Sequence, residues 1–326
     1  MWNTNKFNQL ATHCLQRTAN TNPGNNPLIS PLSILSVLFI LMDAANGKTK
    51  EECLKLVKDM VSLNDFMTLY ENSSKALFFS NEIHLQQSIF DTIDPAFLKM
   101  FQNQYHGKWV PSTQLFELIN TTAFQGTWIK PFKDSEKDWF INRDGTKSRC
   151  WMMKKVEHTY IENESFTGFM KSYQSGDAFI ALLPKEKDYD FLLKNIEKID
   201  FSSLALKAQR YDVDISLPKF EVNFNADLTS LLQNLSTHEL FTGRADLSKM
   251  TKTPLKIDKI VHEAKIKVSE KNTIAVAKTH GIAASGMDRY ESKSVCLNRP
   301  FIYAILHFDG SSQQFIPIFT GVLNQL

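Results

Sequence analysis

The order in which two periodicities follow one another constrains this chain most. Apolar residues recur at helical spacing through roughly the first hundred positions, and from Leu115 onward strand-like runs dominate. Phe7, Leu10, Cys14 and Leu15 share one helical face. The turn residues of TANTNPGNNP (18–27) predict a loop, after which Ser30-Pro31 opens a nearly all-apolar segment from Leu32 to Ala45. A helix apolar all round must be buried. Gly47 suits its C-terminal cap, and Thr49-Lys50-Glu51-Glu52 reads as a capping box for the next helix. Further helices are expected over 63–71 and 95–103, with a strand at 76–85 between them. The later runs lie at 115–124, 177–184, 211–222, 259–269, 301–308 and 314–323, with a helical insert at 228–241. Asp144-Gly145 predicts a hairpin turn. Helices early and strands late, without βαβ alternation, argue for an α+β fold with mostly antiparallel sheets. No internal repeat or boundary interrupts the chain, which reads as a single domain over 1–326.

Composition narrows the function classes. Hydrophobic residues make up 43% and charged residues 22%, enough for a large core and too apolar for disorder. Lys plus Arg (37) nearly balances Asp plus Glu (35), so neither nucleic acid nor an anionic membrane is an expected partner. The start, MWNTNKFNQLATHC, carries no secretory pattern, which gives a cytoplasmic expectation, with non-classical export as the alternative. Cys14, Cys53, Cys150 and Cys296 form no CxxC pair and read as free thiols; neither a metal nor a cofactor is expected.

Catalytic motifs fail one by one. Asn46-Gly47-Lys48-Thr49 has Met42 where a phosphate loop needs glycine. His238-Glu239 and His262-Glu263 begin like zinc-protease motifs, but Thr242 and Ile266 stand where a second histidine must ligate. No GxSxG elbow exists around Ser285. An enzyme is not expected.

Seven strings in order, NPLISPLSI (26–34), AANGKTKEE (44–52), NTTAFQGTWIKPF (120–132), LPKFEV (217–222), ADLSKM (245–250), IVHEAKIKVSEKNT (260–273) and LNRPFIYAI (297–305), closely resemble the serpins, a family named for serine protease inhibition. The resemblance implies a helical cluster packed on three mostly antiparallel sheets, with an exposed reactive loop near the C-terminus, here about 270–295. It further implies a metastable central sheet that accepts the cut loop as an added strand. Ser30, Ser33, Asn120 and His262 match the region where that sheet opens, and Trp128 matches the tryptophan at its top. The implied partner is a target serine protease, met by a monomer. A non-inhibitory, binding or chaperone-like member is the alternative.

The loop resembles EKNTIAVAKTHGIAASGMDRYESKSV (270–295). Alternate residues of a strand face opposite sides. With Glu270 aligned and Thr273 as the first inserting position, the inward set of the hinge is Thr273, Ala275, Ala277, Thr279 and Gly281, all small and uncharged. A one-residue shift would bury Lys278 at considerable cost. Counting forward from Glu270 places the cut bond at Gly286–Met287; counting back from LNRPF reaches Arg289. The first suits an elastase- or chymotrypsin-like enzyme, the second a trypsin-like one, and a cysteine protease stays among the candidates.

The chain departs from the family after His106-Gly107. Lys108 to Thr113 lead almost directly into the run at Leu115, where the family places an edge strand and a helix lying across the front of the central sheet. Both are expected to be missing, leaving the sheet front exposed.

Overall fold

The computed structural model describes residues 2–21, 24–73, 76–185, 194–235, 237–270 and 291–326. Helices come first: α1 (Thr4–Thr21), α2 (Pro31–Ala44), α3 (Gly47–Val57), α4 (Leu63–Ser73), the single turn α5 (Gln87–Phe90) and α6 (Pro95–Gln104). Two short helices, α7 (Phe201–Leu206) and α8 (Thr229–Asn234), interrupt the later strands. α1 runs on to Thr21, past the loop expected from position 18.

The all-apolar segment forms α2, started by Ser30, whose Oγ accepts from the Ser33 N–H 3.2 Å away, and by Pro31 at its first position. Its residues Leu32, Ile34, Leu35, Leu38, Ile40 and Leu41 are fully buried. It lies between two sheets, touching a strand of each.

One sheet has five strands in the order β10 (Phe220–Asp227), β11 (Lys259–Val268), β4 (Phe116–Phe124), β2 (Leu77–Leu85), β3 (Gly107–Pro111). β11 and β4 are its central pair and run parallel, Lys259 opposite Glu117 through Ile266 opposite Phe124.

The other sheet is larger. Its path runs β1 (Leu28–Ile29), β14 (Gln314–Leu323), β13 (Phe301–Asp309), β8 (Ala178–Pro184), β7 (Phe166–Ser172), β6 (Lys147–Glu162), β9 (Gln209–Pro218), β12 (Ser292–Cys296), with β5 (Asp134–Ile141) attached to β6. The sixteen-residue β6 explains why two sheets are seen where three were expected. Its first part pairs with β5 and β9 and its end with β7, which fuses two smaller sheets into one hydrogen-bonded array.

Three local expectations are corrected. The run at 211–222 is two strands of different sheets, separated at Lys219. Gly47, at φ +48°, begins α3 rather than capping α2, and Thr49 Oγ1 accepts from the Asp246 N–H instead of capping its own helix. The third concerns the shortened stretch: β3 pairs with β2 from Gly107 to Pro111, so the five-stranded sheet keeps its edge strand. Only residues 112–115 separate β3 from β4, too few to cross the sheet as a helix, so the expected absence of a covering helix between them holds.

Candidate functional site

The parallel pair β11–β4 sets the candidate site, because strand alternation turns a line of polar side chains inward there. His262 faces Asn120 across that pair, and Asn120 faces Asn81 across β4–β2. All three are buried to within 1%. Asn120 Nδ2 donates to Asn81 Oδ1 at 2.8 Å, and Asn81 Nδ2 donates to the Tyr105 carbonyl at 2.7 Å. At the other end, the Ser30 N–H donates to His262 Nε2 at 3.2 Å. The proton of the neutral ring therefore sits on Nδ1. A polar seam thus runs under three strands and ends on the N-cap of α2.

The seam is incompletely satisfied. His262 Nδ1, Asn120 Oδ1, Thr122 Oγ1 and Ser33 Oγ are buried without a hydrogen-bond partner among the described residues. Such orphans weaken a β-pair relative to an apolar seam, since each costs about 1–3 kcal/mol of desolvation. Burial also pushes the His262 pKa down to about 4.

Trp128 closes one end of β11. Its ring, fully buried, stacks on Tyr173 with centroids 4.1 Å apart, and its Nε1–H donates to the Ser269 carbonyl at 2.8 Å. Lys171 lies beneath, Nζ 5.3 Å from the Trp128 ring centroid, bonded to the Glu157 carboxylate and, at 2.6 Å, to the Lys130 carbonyl. Burial pulls the Lys171 pKa down against the hold of Glu157. Beyond β11, Glu270 accepts the Phe132 N–H through its carbonyl and pairs with Lys219 through its carboxylate.

Of the residues singled out from sequence, Ser30, Ser33, Asn120, His262, Trp128 and Glu270 are placed by the structure; the first four gather at the seam and the last two at the end of β11. Thr273, Ala275, Ala277, Thr279, Gly281, Gly286, Met287 and Arg289 lie outside the described residues, as does Lys278. Asn81, Tyr105, Lys171 and Lys219 escaped the sequence reading. Asn81 had a signal: it is the polar member of the inward row Leu77, Phe79, Asn81, Ile83, Leu85.

The outer face of the same sheet is uncovered by any described helix, and its side chains suit water. Glu117 meets Lys259 at 3.7 Å, Thr121 Oγ1 donates to Glu263 at 3.1 Å, as does Asn225 Nδ2, and Lys265 pairs with Glu221 at 3.0 Å. The apolar exception is Phe78, 60% exposed beside a groove of about 390 Å³ that Ala123 and Lys265 also line.

Comparison with known proteins agrees with this arrangement. The chain matches the model of the family described as Serpin (serine protease inhibitor) over residues 5–111 and 63–322. It is 28% identical over 323 residues to Serine proteinase inhibitor 2 of cowpox virus (strain Brighton Red), covering 90% of this chain and 94% of that protein. Identity to the vaccinia virus (strain Western Reserve) protein of the same name is 26% over 326 residues, with the same coverage. Among solved structures, the thermophilic serpin tengpin in its native state superposes with a TM-score of 0.80 at 25% identity, over 99% of this chain and 94% of that one. Serpin48 of the insect Tenebrio molitor gives 0.82 at 19%, over 99% and 98%. With a central five-stranded sheet, a buried helix behind it and a family match across nearly its whole length, the chain belongs to the serpins.

Proposed function

We propose that this chain inhibits a serine protease as a suicide substrate. The protease cuts the 270–295 loop, is acylated by it, and is trapped when the loop enters the central sheet between β4 and β11. Protease inhibition itself is supported by membership of a family named for it and by the names of the viral relatives. One observation carries the finer reading: β4 and β11 are directly paired over an under-satisfied polar seam, and β11 leads straight into the loop. A strand added there gains a second main-chain ladder in return for parting the first. The small, uncharged hinge row Thr273, Ala275, Ala277, Thr279 and Gly281 fits the inward side of such a strand. The bond favoured is Gly286–Met287, which selects an elastase- or chymotrypsin-like enzyme, with Arg289 and a trypsin-like enzyme next.

The test is incubation with elastase-, chymotrypsin- and trypsin-like proteases, looking for a complex that survives SDS. The reading predicts one with at least one enzyme, and its loss in Thr273→Arg, which puts a charge on the inward row. Simple clipping by every enzyme would instead favour a non-inhibitory, binding member of the family. Mass spectrometry of the released C-terminal peptide fixes the cut bond.

A further inference from the structure

Two indoles stand half-exposed on the β5–β6 ribbon, Trp139 at 50% and Trp151 at 46%. Strand alternation sorts the charges around them. The register sets Lys137 opposite Trp151, Trp139 opposite Arg149 and Ile141 opposite Lys147, so these six residues share one face. They are three cations, two indoles and an isoleucine, with no carboxylate. The acids of β5, Asp134, Glu136 and Asp138, alternate onto the opposite face, where Glu136 pairs with Lys154.

Two of these cations, and Lys219 beside the face, are laid on rings. Lys137 Nζ lies 5.4 Å from the Trp151 centroid, the Arg149 guanidinium 5.8 Å from that of Trp139, and Lys219 Nζ 5.7 Å from that of Trp151. A cation resting on an indole is oriented without being neutralised, so its charge stays available to a partner. Lys219 also joins this face to the loop: its carboxylate partner is Glu270, and its N–H donates to the Trp151 carbonyl at 2.8 Å.

We infer that this face is an exosite for the protease that attacks the loop, and that it takes an acidic patch on the enzyme's surface beside the catalytic cleft. The inference deepens the inhibitory reading above and rests on it. Three features carry it. The face is uniformly basic although the whole chain is only +2, so its preference is for an anionic partner. It adjoins Glu270, where the described chain runs into the loop, through the Lys219–Glu270 pair. Exposed Trp and Arg are the residue types that dominate protein–protein contacts.

The test uses the full chain with anionic and cationic trypsins whose nucleophilic serine is replaced by alanine, so docking is read without acylation. At about 50 mM salt the anionic form should bind at least ~10-fold more tightly, and the difference should vanish near ~0.5 M as screening shortens the field. Lys137→Glu with Arg149→Glu should abolish the preference without weakening the cationic form, and Trp139→Ser with Trp151→Ser should weaken the anionic form several-fold. Each variant should keep the parent melting temperature. Equal binding of both trypsins, binding of neither, or a preference that survives charge reversal overturns the assignment. So does capture by phosphatidylserine vesicles through Lys137 and Arg149 without any trypsin preference, which would make the face a lipid-binding one. Running active enzymes in parallel separates the two readings. Docking through this face without an SDS-stable complex with any active trypsin-, elastase- or chymotrypsin-like enzyme sinks the inhibitory mechanism, whereas complexes formed at equal rates with both trypsins sink the exosite alone.

Discussion

Burial keeps the imidazole of His262 neutral, with a pKa pushed down to about 4 from the ordinary 6.5. The unfolded chain therefore binds a proton that the folded chain refuses as pH falls below about 6.5. Stability contributed by the neutral ring is full above that value and is lost progressively toward pH 4, by on the order of 3 kcal/mol for a shift of this size. Denaturant titrations from pH 7.5 to 4.5 should show that slope, and His262→Gln should flatten it while being less stable at pH 7.5. A slope unchanged by the substitution would show that His262 is not its source. At this scale the sequence was informative where a family string carried the residue, as for His262, Asn120 and Trp128. Asn81 could have been read from strand alternation. Lys171 could not: one lysine at the end of FTGFMKS looks solvated, and only the fold shows its charge set against Glu157 under an indole.

Among the elements, β11 is the strand beside which the proposed insertion would part the sheet, and Trp128 holds its end by donating to the carbonyl of Ser269, the next residue. Trp128→Phe keeps a ring against Tyr173 but leaves the Ser269 carbonyl without that donor, which should cost about 1 kcal/mol. Trp128→Ala also empties a fully buried site and should cost about 3–5 kcal/mol. Denaturant unfolding of the two variants checks the ordering; equal losses would mean that the hydrogen bond, not the packing, holds this corner. The elements also show where pattern reading fails. Residues 211–222 read as one alternating run, but its apolar positions are odd up to Leu217 and even from Phe220, and the slip at Pro218-Lys219 is where the chain leaves one sheet for the other. Alternation reports which residues are buried, not against which sheet. Thr49 has the spacing of a capping residue, but tertiary contact won it: its hydroxyl serves Asp246. The edge strand β3 was missed because Lys108-Trp109-Val110 is too short to show a period.

At the scale of the whole molecule, the short connection between β3 and β4 leaves one face of the central sheet uncovered among the described residues. The ion pairs and hydrogen bonds of Glu117, Thr121, Glu263 and Lys265 make that face compatible with water, and Phe78 is its apolar weak point. Phe78→Ser should therefore change stability by less than about 0.5 kcal/mol while slowing aggregation on mild heating, measured by light scattering. Unchanged aggregation would show that the sticking surface lies elsewhere.

Under the proposed mechanism, the sheet gains when a strand enters between β4 and β11. That pair is in register from Lys259 to Ile266, eight positions. An inserted strand replaces one such ladder by two, a net gain of roughly eight hydrogen bonds at about 1 kcal/mol each. For a chain of this length that corresponds to a melting temperature higher by about 10 °C. The decisive measurement is thermal unfolding of the intact protein beside protein cut once within 281–290. A rise of that size on cleavage is the predicted result; a cut protein that melts at the same temperature or lower would contradict loop insertion.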